Sequence, residues 1–99
     1  MSKTSKLRRL ASGRDCQIRV DGVCNGDSNT VVLCHLPGGG MGTKSDDLLA
    51  AYGCSNCHDS VDGRSKTPHS RETLMLWHLQ GVIRTQQILI DEGVISVGK

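Results

Sequence analysis

The cysteines of this 99-residue chain constrain its fold more than any other feature. Cys54 and Cys57 form a C-x-x-C pair, and Cys16 and Cys24 form a second, wider pair upstream. Four thiolates are the ligand set that tetrahedral zinc prefers, and a C-x-x-C motif places two of them on one short turn. We therefore assign Cys16, Cys24, Cys54 and Cys57 to a structural zinc site.

The composition favours a structural metal. Only 36% of the residues are hydrophobic, with no Phe, one Trp and one Tyr, so we expect one domain with a modest core. A zinc ion contributes on the order of 10 kcal/mol to the folding of such a domain. The alternative is a redox C-x-x-C with Cys16 and Cys24 as small buried residues, but the βαβ pattern of such redox proteins is not evident. Cys34, the fifth cysteine, is expected to face inward from a strand.

The cellular compartment follows from the same residues. The cysteine count is odd, and the chain starts with the polar run Met1-Ser2-Lys3-Thr4 instead of an apolar leader, so we expect a reducing compartment. No stretch approaches the ~20 apolar residues of a membrane span. These features predict a soluble cytoplasmic protein that does not contact a membrane.

In the first half of the chain, residues 1–13 are predicted to be a basic flexible or partly helical arm, and residues 14–99 a single domain. Residues 17–20 alternate like a short strand before a turn at Asp21-Gly22. The β-branched run within 30–36 is the best strand candidate, and the glycine-rich residues that follow it predict a loop.

In the second half, residues 46–52 predict a short strand or helical turn, and residues 55–62 a helix opened by the C-x-x-C. Ser70 can cap a longer helix over residues 71–92, and residues 94–97 suggest a terminal strand. Gly81 within the long helix indicates a kink or close packing against the metal-binding half. The predicted buried face of this helix consists of Met75, Leu79, Val82, Ile83, Leu89 and Ile90.

A second group of residues has the chemistry of a catalytic site. His58 and Asp62 are spaced i, i+4, so they can chelate one ion, for which Mg²⁺, Mn²⁺ and Zn²⁺ are all candidates. The alternative for His58 is a supporting or helix-capping role beside the zinc. His35, at the end of the predicted strand, can act as a general base, and Asp47 can orient it or complete the metal shell.

Basic residues near the N-terminus and beyond the C-x-x-C indicate a phosphate-bearing partner, although the net charge is only +2. A solvated basic tail that aids solubility is the alternative. The candidate nucleic-acid-binding residues are Arg8, Arg9, Arg14, Lys44 and Arg64.

The order of these motifs resembles the HNH nucleases, whose ββα-metal core often lies inside a zinc-bound treble clef. It resembles more closely a family of phage and prophage nucleases (YbcO-like), through the Cys16 to Cys24 loop, Gly42-Thr43-Lys44 and the knuckle from Cys54 to Asp59, over about residues 14 to 95. The resemblance implies an α+β fold: a small zinc-bound treble clef, an HNH-like ββα-metal hairpin-helix core and a long C-terminal helix.

The same resemblance implies that His35 is the general base, His58 a ligand of the catalytic divalent ion, and the four cysteines the zinc site. The chain departs from the HNH pattern at three positions: Cys34 replaces an acidic residue, Asp47 an Asn, and Asp62 the last His or Asn. A carboxylate can replace a carboxamide in orienting a histidine. We therefore assign His35, Asp47 and His58 to catalysis, and the divalent ion to His58 and Asp62.

The predicted function is a metal-dependent endonuclease that hydrolyses DNA phosphodiester bonds, in phage or prophage recombination or processing within the bacterial host cytoplasm. One alternative is a non-catalytic, zinc-ribbon-like nucleic-acid-binding module in which His35 and His58 are structural. Another is an assembly domain that uses the apolar residues 74–79 of the long helix. The sequence leaves the oligomeric state open.

Overall fold

The protein is described from a computed structural model that covers residues 6–36 and 47–95. Two single-turn 3₁₀ helices, Ser28–Thr30 and Asp47–Leu49, precede the two strands. The helices and strands, in chain order, are α1 (Lys6–Ala11), β1 (Val32–His35), β2 (Ala50–Gly53), α2 (Ser55–Val61) and α3 (Arg71–Asp91). The result is a small α+β fold, as the sequence predicts, in which α3 packs on β2.

Strands β1 and β2 form an antiparallel pair, with Val32 opposite Gly53 and His35 opposite Ala50. The predicted strand within residues 30–36 is thus confirmed, and residues 47–53 supply both a helical turn and a strand. Since β2 continues through Cys54 directly into α2, the β1-β2-α2 unit places the end of β1 and the start of α2 on one small framework.

Helix α2 begins at the C-x-x-C because Cys54 serves as its N-cap. The Cys54 sulfur accepts a hydrogen bond from the Cys57 backbone N–H at 3.4 Å, satisfying one of the unpaired donors of the first turn. Gly63, at φ +78°, turns the chain away after Val61. The helix predicted over residues 55–62 is confirmed to within one residue.

Helix α3 begins after Ser70, whose Oγ accepts a hydrogen bond from the Thr73 N–H at 3.1 Å. It ends at Asp91, and Gly93, where φ is +75°, turns the chain away from the helix. Val94 and Ile95 both donate backbone hydrogen bonds to the Leu89 carbonyl, so they close the helix instead of starting the predicted terminal strand. The remaining residues of that prediction, 96 and 97, lie outside the described part.

The buried face of α3 differs from the predicted one. Met75, Leu79 and Ile83 were expected to be buried, but they are 38%, 42% and 66% exposed. The buried positions instead include small and hydrogen-bonding side chains, because this side of the helix lies directly against β2 and has little room for large apolar groups. The buried residues of α3 are His78, Gly81, Val82, Thr85 and Leu89.

Gly81 allows this close approach. A Cβ at this position would lie 3.1 Å from each of three atoms: the Ala51 Cβ, the Gln17 carbonyl oxygen and the Ile18 Cγ1. The prediction of close packing against the metal-binding half is therefore confirmed.

We expect Gly81→Ala to destabilise the protein by about 1 kcal/mol. Overpacking costs about 1–3 kcal/mol, and the higher helix propensity of Ala recovers about 1 kcal/mol of that. Chemical denaturation of the wild type and the variant measures the difference in the free energy of unfolding. A variant more stable than the wild type would show that Gln17 and Ile18 can move aside.

The loop between Cys16 and Cys24 is not the predicted short strand at residues 17–20. Arg19 has φ +58°, a left-handed conformation that interrupts an extended run, and its Nε donates to the Cys16 carbonyl at 3.2 Å. The predicted turn that follows is confirmed, since the Val20 carbonyl accepts hydrogen bonds from the N–H groups of Val23 and Cys24. This turn brings Cys24 back towards Cys16.

The N-terminal segment contributes a short helix to the fold. Ala11, the last residue of α1, is completely buried, and Arg8 and Arg9 on the same helix are exposed. Residues 1–5 lie outside the described part, so the division into a 1–13 arm and a 14–99 domain stays a prediction. Within residues 6–36 and 47–95, no helix has both the length and the apolar character required to cross a membrane.

Candidate metal centre and histidine cluster

The four predicted zinc ligands come together in the structure. One sulfur from each of Cys16, Cys24, Cys54 and Cys57 lies within 4.8 Å of all the others, so the group could hold a metal ion. A zinc–sulfur bond of about 2.3 Å implies sulfur–sulfur distances of about 3.8 Å in a tetrahedron. The Cys24 and Cys54 sulfurs are 3.9 Å apart. The donor set and its spacing therefore both fit a thiolate-bound metal.

Backbone hydrogen bonds support the sulfurs as ligands. The Val20 N–H donates to the Cys57 Sγ at 3.3 Å, in addition to the bond from the Cys57 N–H to the Cys54 Sγ. Hydrogen bonds donated to sulfur stabilise its negative charge. The loop and the start of α2 thus prepare the thiolate form that metals bind.

The cysteines of the cluster differ in their thiol pKa values. A hydrogen bond from the Cys57 thiol lowers the pKa of Cys16 to about 4, and the same contact raises the pKa of Cys57. Burial raises the pKa of Cys24. The Cys16 sulfur is therefore ready to bind a cation. The thiols with raised pKa values, Cys24 and Cys57, must release protons as a metal binds.

Cys34 is separate from this cluster. It is completely buried on β1, its Sγ lies 3.8 Å from the Val32 and Gly53 carbonyl oxygens, and burial raises its pKa strongly. The prediction that the fifth cysteine faces inward from a strand is confirmed. Its role is that of a small buried side chain.

His35 and Asp47 form a close pair where β1 ends. The His35 Nε2 and the Asp47 Oδ1 are 2.6 Å apart, with the two side chains 18% and 22% exposed. The Arg8 Nε lies 3.5 Å from the same carboxylate oxygen. A carboxylate at one imidazole nitrogen fixes the ring and its tautomer, which leaves the other nitrogen as the acceptor that a histidine base needs.

His58 and Asp62 form a second pair on the exposed side of α2. The His58 Nε2 lies 3.1 Å from the Asp62 Oδ2, as their i, i+4 spacing predicts, and Arg64 NH2 lies 3.5 Å from that oxygen. The four thiols are the one group of three or more close metal-ligating side chains in the described residues. The His58–Asp62 pair therefore offers two protein ligands, which is enough for an ion that also binds substrate phosphate.

His78, on α3, is a site residue that the sequence analysis missed. It is 2% exposed, and its Nε2 lies 2.7 Å from the backbone oxygen of Cys34, the residue before His35. Its pKa is lowered, chiefly by burial and also by His58 and His35, with Asp62 acting in the opposite direction. His78 thus adjoins the end of β1, where His35 lies. The sequence signal for its burial is helical spacing: His78 lies three residues before Gly81 and seven before Thr85, on the same face of α3.

We expect His78→Gln to reduce the loss of stability in acid. The folded state holds His78 neutral, with a pKa below its ordinary value, so the unfolded chain binds an extra proton once the pH falls below that ordinary value. Wild-type stability should then decrease as the pH falls. Gln can still donate to the Cys34 carbonyl but does not ionise. Denaturation curves at a series of pH values below the ordinary pKa of histidine give the free energy of unfolding. This free energy should fall less steeply with decreasing pH for His78→Gln than for the wild type, and equal slopes would contradict the prediction.

The predicted nucleic-acid-binding residues have different surroundings. Arg8 and Arg9 lie on α1, and Arg64 is 66% exposed beside Asp62. Arg14 makes two hydrogen bonds to Glu92, of 2.6 and 2.7 Å, and stacks over the Tyr52 ring at 5.7 Å. Lys44 lies outside the described residues. The contacts of all five with nucleic acid stay predictions.

Three comparisons with known proteins agree with one another. The family model described as "Putative nuclease YbcO" matches residues 5–94. Two curated relatives, "Putative nuclease YbcO" of Escherichia coli (strain K12) and "Putative nuclease ybcO" of Enterobacteria phage 82, are each 44% identical over 96 residues, covering 91% of this chain and 96% of the relative.

A solved structure described as a putative bacteriophage protein from Escherichia coli str. K-12 substr. MG1655 is also similar. It superposes with a TM-score of 0.78 at 41% identity, covering 89% of this chain and all of the other. The family match and the matches to the relatives extend over nearly the whole length of the chain. The chain therefore belongs to the YbcO nuclease family.

Proposed function

We propose that the protein is a metal-dependent endonuclease that hydrolyses DNA phosphodiester bonds. The observation that carries this proposal is the presence of two histidine–carboxylate pairs, His35–Asp47 where β1 ends and His58–Asp62 along α2. One pair has the chemistry of a general base and the other that of a metal ligand set. Membership of the nuclease family supports the same reading.

His35 is the proposed general base. Its imidazole removes a proton from water as the water attacks phosphorus, and the Asp47 carboxylate at 2.6 Å stabilises the imidazolium that results. His78 supports this group indirectly, because its ring lies at hydrogen-bond distance from the backbone oxygen of Cys34 and so helps to fix the end of β1.

His58 and Asp62 would hold the catalytic divalent ion, which is Mg²⁺, Mn²⁺ or Zn²⁺. When bound, such an ion stabilises the charge that develops on the phosphate and the leaving oxygen. The i, i+4 arrangement on a helix keeps the imidazole and the carboxylate on one face, turned partly to solvent at 28% and 30% exposure. That exposure leaves room for a phosphate backbone.

The four cysteines would hold zinc as the centre of a treble clef, and the ββα unit would be an HNH-like core. Arg8, whose Nε lies 3.5 Å from Asp47, places a positive charge beside the proposed base, and Arg64 does the same beside Asp62. These arginines would contact the DNA backbone on either side of the scissile bond. The proposed setting is phage or prophage DNA processing in the host cytoplasm.

Plasmid nicking by the zinc-loaded protein with added Mg²⁺, Mn²⁺ or Zn²⁺ tests the proposal, and Asp62→Ala sharpens it. We expect this change to lower the nicking rate about 10- to 100-fold, since it removes one of the two ligands. Asp91→Ala, which removes an exposed carboxylate near the far end of α3, is the control and should retain activity. Equal rates for the two variants would exclude Asp62 as a ligand.

A non-catalytic zinc-binding module that binds nucleic acid is the second candidate. It is favoured by the fact that, among described residues, only the thiol cluster has three or more close metal ligands. It predicts DNA binding that weakens steeply with salt but no cleavage with any added ion. Nicking activity that depends on a divalent ion would exclude it.

A further inference from the structure

A cavity of about 200 Å³ lies between the end of α2, the segment that follows it and the first two turns of α3. Its apolar lining residues are Val61, Leu74 and Met75. The volume is below the ~300 Å³ at which pockets for drug-sized ligands begin. It therefore suits a single small ring system with apolar faces.

The cavity lining also carries polar groups. The hydroxyls of Ser60 and Ser65 lie 3.4 Å apart, and the exposed guanidinium of Arg71 stands at the rim. The described residues that line the cavity include no carboxylate. The polar lining thus offers hydrogen bonds together with positive charge, which suits a ligand that bears a phosphate.

The buried His78 also lines this cavity. Its Nε2 lies at hydrogen-bond distance from the Cys34 carbonyl oxygen, and its Nδ1 makes no hydrogen bond within the described residues. A ring with its Nε2–H donated to a carbonyl presents Nδ1 as an acceptor. The cavity therefore contains an unpaired acceptor on a side chain that is 98% enclosed.

The cavity adjoins the proposed catalytic groups. Ser60 and Val61, which line it, lie between His58 and Asp62 on the two turns of α2. These positions span about 6 Å along the helix axis, a distance that one nucleotide can bridge between a phosphate at His58 and a base in the cavity.

We propose that this cavity binds one unpaired nucleobase of the DNA strand, next to the phosphate that is cleaved. The inference rests on the proposed nuclease function. The apolar walls contact the faces of the base, the His78 Nδ1 accepts a hydrogen bond from an N–H on its edge, and Arg71 binds the adjacent phosphate. Only an unstacked base can enter, so the preferred substrate contains a bulge, a junction or a single-stranded stretch.

Fluorescence of 2-aminopurine tests the proposal without requiring cleavage. The zinc-loaded, full-length protein is titrated, in Ca²⁺, into a duplex with a single bulged 2-aminopurine and into one in which that base is paired. We expect a several-fold rise in fluorescence for the bulge and little change for the paired base. The absence of a rise with the bulge would overturn the proposal.

Ser65→Leu should abolish the rise by filling the cavity, whereas Ser12→Leu, an equivalent change at an exposed serine outside it, should preserve the rise. If its zinc content shows that Ser65→Leu does not fold, Arg71→Ala is tested in its place. This variant is expected to bind the bulged duplex, and only the bulged duplex, more weakly than the wild type does. An unchanged response in the folded Ser65→Leu, or in Arg71→Ala, contradicts the proposal. Plasmid nicking is measured in parallel. Nicking without a fluorescence rise would contradict the base-binding proposal alone, and a fluorescence rise without nicking would contradict the proposed nuclease function.

Discussion

Cys57→Ser is expected to abolish zinc binding and unfold the protein. Cys57 is completely buried, and its sulfur lies within 4.8 Å of the other three cluster sulfurs. Binding of zinc contributes on the order of 10 kcal/mol to folding. That is comparable with the whole stability of a small domain, about 5–15 kcal/mol. Zinc analysis and far-UV circular dichroism of the purified variant measure both effects.

Cys34→Ala is the matched control for this change. Cys34 is also completely buried, but its sulfur contacts backbone carbonyls and not the cluster. We expect the variant to retain one zinc per chain and to lose about 1 kcal/mol of stability, the typical cost of a single substitution. Loss of zinc from Cys34→Ala, or retention of zinc and fold by Cys57→Ser, would contradict the assignment of ligands.

His35→Ala is expected to reduce DNA cleavage by about 100- to 10,000-fold, the usual contribution of a general base. The zinc content should not change, since the His35 ring pairs with Asp47 and belongs to no group of metal ligands in the described residues. Single-turnover nicking rates for the wild type and the variant provide the measurement.

Added imidazole distinguishes a missing base from a damaged structure. If His35 acts by proton transfer, imidazole in solution should restore part of the activity of His35→Ala, with a pH dependence that follows the added base. Activity equal to the wild type in the unaided variant would remove His35 from the mechanism.

The sequence predicted that the four cysteines would come together because the signals within each pair are local. The C-x-x-C at Cys54 defines the start of α2, and the turn at Asp21-Gly22 returns Cys24 towards Cys16. The pairing of His58 with Asp62 follows in the same way from helical spacing. Each of these contacts is determined by a few neighbouring residues.

The buried face of α3 could not be predicted from hydrophobicity. Gly81 and Thr85 are buried because the helix lies close to β2, and the Thr85 hydroxyl accepts a hydrogen bond from the Tyr52 N–H at 3.0 Å. His78 is buried because a strand carbonyl pairs with it. These are long-range contacts between polar or small groups, so apolar periodicity instead selected Leu79 and Ile83, which are exposed.

The number of metal ions bound by each chain tests the account most directly. Zinc analysis combined with electron paramagnetic resonance of added Mn²⁺ should give one zinc and one Mn²⁺ for the wild type. His58→Ala should retain the zinc and lose both the Mn²⁺ and the cleavage activity. One zinc, no bound Mn²⁺ and no cleavage in the wild type would contradict the account, because the thiol cluster would then be the protein's whole metal chemistry.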